Sequence, residues 1–357
     1  MKEKLLQWYD EHKRELPWRS DPTPYHVMVS EIMLQQTRVV TVLPYYQRFI
    51  EELPTIQALA EVSEEKLHQL WAGLGYYSRA RNLKVAAQQI QELGYFPSSY
   101  TELLTLKGIG PYTAGAIASI AFQEAVPAVD GNVLRVYTRL YQIKGDIKKA
   151  RTVNEVRKVV EQTISHTRPG DFNQALMDIG SEICTPKSPR CLDCPLQEQC
   201  LSFQQNTVLD FPEKGKKIEK KEEYFVAMAY HNEKGEYYFL PPKEKGLLQN
   251  MRLFPLEEVS KEKFMSFERY YSEKGQVSLL EPSTPYLSSL ATNQEEWHYA
   301  GEVKHIFTHK VWHILVLTQK IKESADFCGY QLNQVPFALC KLQEKMNQCI
   351  VKSEKGK

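Results

Sequence analysis

The sequence predicts a mostly α-helical N-terminal region followed by a smaller α+β domain, and three features lead to that reading. Apolar residues recur at three- and four-residue spacing from Met1 to about Gln205, as they do on helix faces. The segment Pro212 to Glu223 then breaks the pattern with lysines and glutamates; it has no hydrophobic face and reads as an exposed linker. Beyond it the pattern turns strand-like. The expected boundaries are a helical domain over 1–205, a charged linker over 206–223, a second domain over 224–351 and a frayed Lys-rich tail over 352–357.

Composition permits this plan. A chain of 357 residues is long enough for two substantial cores. Its net charge is only +1, so a nucleic-acid surface has to be a local basic patch. The first ten residues contain no apolar stretch of signal-peptide length. The longest apolar run, around Ala114 to Phe122, is too short to cross a membrane. The expected setting is a reducing cytoplasm, with no membrane partner.

Taken in order, the first informative element is Tyr25 to Thr37. In a helix there, Glu31 has Val27, Met28, Leu34 and Gln35 as surface neighbours, three of them apolar. A carboxylate on an apolar stripe acquires the raised pKa that a general acid needs. A Glu that merely complements the helix dipole is the plainer alternative. The faces Leu83, Ala86, Ala87, Ile90 and Val133, Val136, Tyr137, Leu140 mark two further helices. Between them, Gly108 and Gly110 flank one apolar residue ahead of Pro111, which suits the first turn of a helix. Such a turn either simply joins two helices or brings backbone N–H groups close to a phosphate. Asp130 or Asn132, just ahead of the Val133 helix, reads as an N-cap, and a capped carboxylate of low pKa stays ionised.

Four cysteines follow within 17 residues, Cys184, Cys191, Cys194 and Cys200, in the pattern Cys-x6-Cys-x2-Cys-x5-Cys. Four thiolates so close suit an iron–sulfur cluster or zinc, although zinc sites usually pair two short knuckles and only Cys191 and Cys194 form one. Disulfides would require an oxidising compartment. In the second half, Tyr224–Tyr230, Glu236–Leu240 and Val311–Leu317 read as strands, with an Asn-Glu-Lys-Gly turn before the second. A last helix is expected from Phe337 to about Val351. His305, His309 and His313 recur every fourth residue and would share a face of one strand, but no acidic or Cys partner is near in sequence, so a metal site is not expected. Cys328, Cys340 and Cys349 read as incidental or buried free thiols.

Several of these strings resemble one family. The cysteine spacing and Leu-Lys-Gly-Ile-Gly-Pro-Tyr-Thr-Ala resemble the cluster loop and helix–hairpin–helix of the endonuclease III superfamily of DNA glycosylases. Ser-Glu-Ile-Met-Leu-Gln-Gln-Thr is similar to the MutY family within it, the adenine DNA glycosylases. The resemblance implies one [4Fe–4S] cluster on the four cysteines, and Glu31, Asp130, Tyr112 and Asn132 as catalytic residues. Tyr112 stands where lyases of the superfamily carry a lysine nucleophile, and Lys107 on the other side of the hairpin does not restore it. A phenol forms no imine, so base removal without an obligatory covalent lysine is implied.

Residue by residue, the resemblance assigns Arg14, Leu16, Trp18, Arg19, Val39 and Gln174 to the adenine pocket, though Trp18 is equally suited to plain core packing. It assigns Gln36, Leu74, Tyr76, Gly108 and Gly110 to DNA contact, with Leu74 and Tyr76 as the wedge beside an orphaned base. Lys187 and Arg190 in the cluster loop either meet phosphates or are solvated charges. The second domain resembles the MutT-like module of this family. Gly246-Leu-Leu and Phe254-Pro255 match it, while Asn250 to Leu253 depart from it, and the Mg²⁺-binding carboxylate box is missing. Phe307, Thr308 and His309 resemble its Phe-Ser-His loop for 8-oxoguanine, with Thr for Ser. The implied partner is duplex DNA with an adenine:8-oxoguanine mispair, bound by a monomeric, nucleoid-associated protein. The competing readings are a pyrimidine-lesion glycosylase of the same fold and a non-catalytic cluster-bearing DNA-binding protein.

Overall fold

The computed structural model describes residues 1–213, 215, 219–243, 248, 251–274, 276–277, 297–307, 309–321, 329–337 and 339–355. The chain divides into two compact units, Met1–Lys217 and Ile218–Lys357. Among the described residues the first is built from helices and the second around a sheet, the fold class that the periodicities predict.

In the first unit the helices are α1 (Lys2–His12), α2 (Pro17–Ser20), α3 (Pro24–Leu34), α4 (Val39–Glu52), α5 (Ile56–Glu61), α6 (Glu64–Trp71), α7 (Ser78–Leu93), α8 (Tyr100–Leu103), α9 (Pro111–Ala121), α10 (Gly131–Tyr141), α11 (Ala150–Thr163), α12 (Pro169–Glu182) and α13 (Leu201–Gln204). Their starts follow local chemistry. Thr23 accepts from His26 N ahead of Pro24, and Ser99 with Glu102 forms a capping box for α8. Two apolar cores result. One gathers Met28, Val29, Phe49, Trp71, Leu83 and Ile117; the other gathers Leu5, Val133, Tyr137, Val156, Phe172 and Leu176. Packing of α3 on α9, and of α10 on α12, brings both cores to the walls of one cleft.

The chain just after the last cluster-loop cysteine, Cys200, belongs to this unit. Arg139 Nε donates to Phe211 O at 2.9 Å, and Glu213 accepts from Gly145 N at 2.7 Å. Further on, Lys221 to Glu223 open a strand instead of extending a linker. There the carboxylate of Glu223, 6% exposed, accepts from Lys310 Nζ and Trp312 Nε1, each at 2.8 Å.

Among the described residues the second unit centres on β1 (Lys221–His231) and a seven-stranded sheet. The other strands are β2 (Tyr237–Tyr238), β3 (Leu256–Val259), β4 (Gln276–Val277), β5 (Trp297–Ile306), β6 (Lys310–Lys320) and β7 (Gly329–Tyr330). β1 runs parallel to β6 and antiparallel to β3, and β5 returns antiparallel along β6. Helices α14 (Lys261–Lys274) and α15 (Lys341–Lys355) pack against β1 and β5. The expected Asn-Glu-Lys-Gly turn is present: Asn232 Oδ1 accepts from Lys234 N and Glu236 N, and Gly235 takes φ +71°.

Some expectations need correction. The strand after that turn is only Tyr237–Tyr238. The last helix starts at Lys341, because Phe337 ahead of it packs edge-on against Phe239 and Tyr330. Lys352 to Lys355 continue that helix instead of fraying. The three histidines do not share one strand: His305 is on β5, His309 in the turn and His313 on β6. Cys340 and Cys349 are free thiols, while Cys328 lies outside the described residues. Among the described residues no helix is long and apolar enough to cross a membrane.

Candidate active site

Glu31 sits on α3, only 5% exposed, with Val27 and Met28 buried beside it. Pro111 starts α9, and the next residue, Tyr112, donates its hydroxyl to Glu31 Oε2 at 2.5 Å. Burial raises the Glu31 pKa to about 7; the Tyr112 bond opposes this, the Asp130 charge adds to it, and Arg19 opposes it. A carboxyl of this kind carries its proton close to neutrality.

Asp130 caps α10, as expected. Its Oδ1 accepts from Asn132 N at 2.9 Å and Val133 N at 2.8 Å, and its Oδ2 from Asn132 Nδ2 at 2.8 Å. The expected low pKa does not follow. Burial raises it, and the bonds from Val133 and Asn132, together with Arg135, only oppose that rise. Asp130 nevertheless receives three N–H donors, while Glu31 receives one hydroxyl. In the pair the proton therefore belongs on Glu31 and the charge on Asp130. Asn132 is itself held: Arg135 Nη2 donates to its Oδ1 at 2.8 Å and to Gly180 O at 2.6 Å, and Arg135 Nε donates to Cys184 O at 2.7 Å. A Cβ on Gly180 would lie 2.5 Å from Asn132 Cβ, so only glycine permits this approach.

Glu31, Tyr112, Asp130 and Asn132 line one cleft of about 930 Å³. Arg14, Leu16, Trp18, Arg19, Val39 and Gln174, the expected pocket residues, line it too, as do Gln36, Gly108 and Gly110. Trp18 is 5% exposed and edges onto Tyr46 at 5.0 Å, so it serves the core as well as the wall. No lysine lines the cleft among the described residues, and Lys107 instead bonds Gln89 through its backbone N–H.

Asp178 was not among the residues expected at the site. It is fully buried on α12 and receives Arg14 together with both Nη groups of Arg19, at 2.7 and 3.0 Å. The sequence does hold a signal for it: Gln174, Met177, Asp178 and Ser181 fall on one face of the helix at spacings of three and four. Two arginines that line the cleft are thus aimed by one carboxylate behind it.

Gly108 takes φ +79°, and a Cβ there would meet Asn82 at 2.6 Å, so the hairpin requires glycine at this position. Gly110, the N-cap of α9, has open space around it. Gln36 and Tyr76 both adopt positive φ, +57° and +49°. Tyr76 is 51% exposed, but Leu74 is 6% exposed and packs into the core. The left-handed turns at Gly73 and Gly75 direct Leu74 inward, which corrects its expected place at the surface. Lys187 is exposed, and Arg190 pairs with Asp193 at 3.5 Å.

The four cluster-loop cysteines line one cavity of about 30 Å³, walled mostly by apolar groups such as Leu140, Ile183 and Phe203. Buried Arg139 donates to Cys184 Sγ at 3.3 Å and to Thr185 O at 2.8 Å. Burial pushes the Cys194 thiol up to about 12 and those of Cys191 and Cys200 upward. These sulfurs ionise readily only beside a cationic centre. In the second unit, Phe307 at the β5–β6 turn packs edge-on against Trp312 at 4.9 Å and His305 at 4.6 Å. His309 beside it is exposed, and Thr308 lies outside the described residues.

Residues 29–162 match the family described as HhH-GPD superfamily base excision DNA repair protein. An adenine DNA glycosylase of Arabidopsis thaliana is 38% identical over 88% of this chain and 56% of its own length. That of Buchnera aphidicola subsp. Schizaphis graminum is 38% identical over 70% of this chain and 73% of its own, and the Homo sapiens one 46% identical over 56% and 39%. A solved thermostable thymine-DNA glycosylase superposes with a TM-score of 0.52 at 25% identity, over 57% of this chain and 94% of that one. The chain spans about half the length of the Arabidopsis relative and 39% of that of the Homo sapiens one. With Glu31, Tyr112 and Asp130 gathered in one cleft and a relative covered over nearly three quarters of its length, the chain belongs to the adenine DNA glycosylase family.

Proposed function

We propose that this protein hydrolyses the N-glycosidic bond of adenine mispaired with 8-oxoguanine in duplex DNA. The observation that carries the reading is the buried Glu31 carboxyl, its pKa raised to about 7 and hydrogen-bonded by Tyr112, in one cleft with Asp130, which receives three N–H donors. Glycoside cleavage through an oxocarbenium-like state uses such a pair, one carboxyl donating a proton and the other staying charged. Adenine flipped from the stack enters the cleft, and Glu31 protonates a ring nitrogen to make a neutral leaving group. Asp130, oriented by Asn132 and the start of α10, stabilises the positive sugar on either side of bond cleavage, and water completes the hydrolysis. Tyr112 keeps the donor in place. Leu16, Trp18, Arg14, Arg19, Val39 and Gln174 wall the base, and Gln36 and Tyr76 fill the gap it leaves. Gly108 and Gly110 allow a phosphate close to the start of α9.

The same reading assigns a [4Fe–4S] cluster to Cys184, Cys191, Cys194 and Cys200. What supports it is that the four cysteines line one cavity, and a [4Fe–4S] cluster takes four thiolates. Bound there, the cluster cross-links the loop that follows α12. Anaerobically purified protein is expected to contain about four irons per chain. Cys194→Ser should lower both thermal stability and duplex affinity. Stoichiometric zinc without iron would overturn the assignment.

Phe307, Thr308 and His309 are proposed to read 8-oxoguanine opposite the adenine. A protein ending at Lys220 retains Glu31 and Asp130 and should still release adenine in single turnover. Its preference for 8-oxoguanine over guanine opposite the adenine should shrink. Thr308→Ala in the full chain removes one hydrogen-bonding hydroxyl and should cost discrimination of several-fold, from about 0.5–1.5 kcal/mol. Equal discrimination by the truncated and full proteins would take lesion reading away from the second unit.

A further inference from the structure

Arg79 belongs to none of the sites described above, yet it is only 8% exposed and its donors are spread over two separate segments. On one side, its Nη1 donates to Ile32 O at 3.0 Å, Met33 O at 2.9 Å and Gln35 O at 2.5 Å, and its Nη2 to Thr37 Oγ1 at 3.3 Å. On the other, Nη2 donates to Leu74 O at 3.4 Å and Gly75 O at 3.2 Å. Its guanidinium also lies 5.3 Å from the centre of the Tyr76 ring and 5.6 Å from that of Trp71.

The first set of acceptors is the C-terminal end of α3. The final carbonyls of a helix have no partner within it, and they attract a cation. The C-cap residue Gln35 supplies no left-handed turn to satisfy them. The chain leaves the helix through Gln36 at φ +57°, an uncommon conformation for a non-glycine residue that its surroundings have to hold. The second set is the turn that presents Tyr76, itself at φ +49°. One rigid planar cation therefore fastens both segments, each of which carries a positive-φ side chain at the surface.

We infer that Arg79 is a positioning residue that couples the Gln36 segment to the Tyr76 turn, so that the two engage DNA as one unit. This deepens the proposed function and rests on its assignment of Gln36 and Tyr76 to DNA contact. The guanidinium suits the task because its donors are fixed in a plane and reach both segments at once. A lysine ammonium keeps the charge but is a compact point that cannot span them.

A double-mutant cycle tests this. Gln36→Ala, Tyr76→Ala and the pair are made in the parent and in Arg79→Lys, and affinity is read on a duplex carrying a tetrahydrofuran abasic-site analogue. In the parent the two losses should deviate from additivity by about fivefold or more, as for residues sharing one network. In Arg79→Lys they should become additive within about twofold, whatever the change in melting temperature. A merely structural role would lower the melting temperature and leave the coupling intact. If Arg79→Lys does not fold, Thr37→Val removes one acceptor without burying a charge and should weaken the coupling in the same direction. Additive losses in the parent, or coupling unchanged in both variants, overturn the inference. Adenine release by the parent is measured separately: preserved coupling without release refutes the proposed function and not the role of Arg79.

Discussion

Glu31→Gln is expected to slow adenine release by a factor of ~10²–10⁴, the range for loss of a general acid. The amide keeps the shape of the side chain and can still meet the Tyr112 hydroxyl, so binding to the lesion duplex should be largely retained. Single-turnover rates within tenfold of the parent would remove Glu31 from the donor role. The pH dependence has a definite sign. The active form carries the proton, so the parent's rate should fall as pH rises through about 7. The folded pKa is raised from 4.5 to about 7, so between those values the folded state binds the proton more readily than the unfolded chain does. The contribution of Glu31 to stability is therefore complete below about 4.5 and lost as pH rises through about 7. Glu31→Gln should remove both dependences.

Asp178→Asn is expected to cost about 3–5 kcal/mol of stability, the range for removing one partner of a buried ion pair. Asp178 is fully buried, and the amide would leave Arg19 without its counter-charge, while Arg14 keeps Glu182 at 3.2 Å. Arg19 is the more exacting of the two, its side chain being only 12% exposed. Chemical denaturation of the purified variant measures the loss. Replacing all three residues by apolar ones of similar volume should recover most of the stability, because the uncompensated charge is then gone. It should not recover adenine release, because the two arginines line the cleft. A stable, fully active Asp178→Asn would show that the arginines need no buried anion to hold them.

The helical half was legible because its periodic faces are long and its caps are local. Asp130 sits beside the backbone N–H groups it receives, so neighbouring residues suffice to locate it. The Glu31 environment was legible for the same reason, since its apolar stripe lies on its own helix. Its Tyr112 bond, across 81 residues, was not expected: the resemblance placed Tyr112 among the catalytic residues without naming a partner for it. The raised Asp130 pKa was missed because an N-cap motif announces its hydrogen bonds and not its burial. Arg79 was illegible because its acceptors are main-chain carbonyls, which carry no sequence signature. In the second half the strands β3, β4, β5 and β7 and the helix α14 were missed, and β2 was overextended. Short strands are defined by partners distant in sequence: the two-residue β2 and β7 pair at a separation of about ninety residues.

The central claim is that the protonated Glu31 and the charged Asp130 act together on adenine. Its most direct test is to identify the free base released in single turnover from three duplexes: adenine opposite 8-oxoguanine, an oxidised pyrimidine opposite its normal partner, and undamaged DNA. The account predicts free adenine from the first, an abasic strand that remains uncut until alkali is added, and no base from the other two. Release of the oxidised pyrimidine, or no adenine from the first duplex, would contradict it.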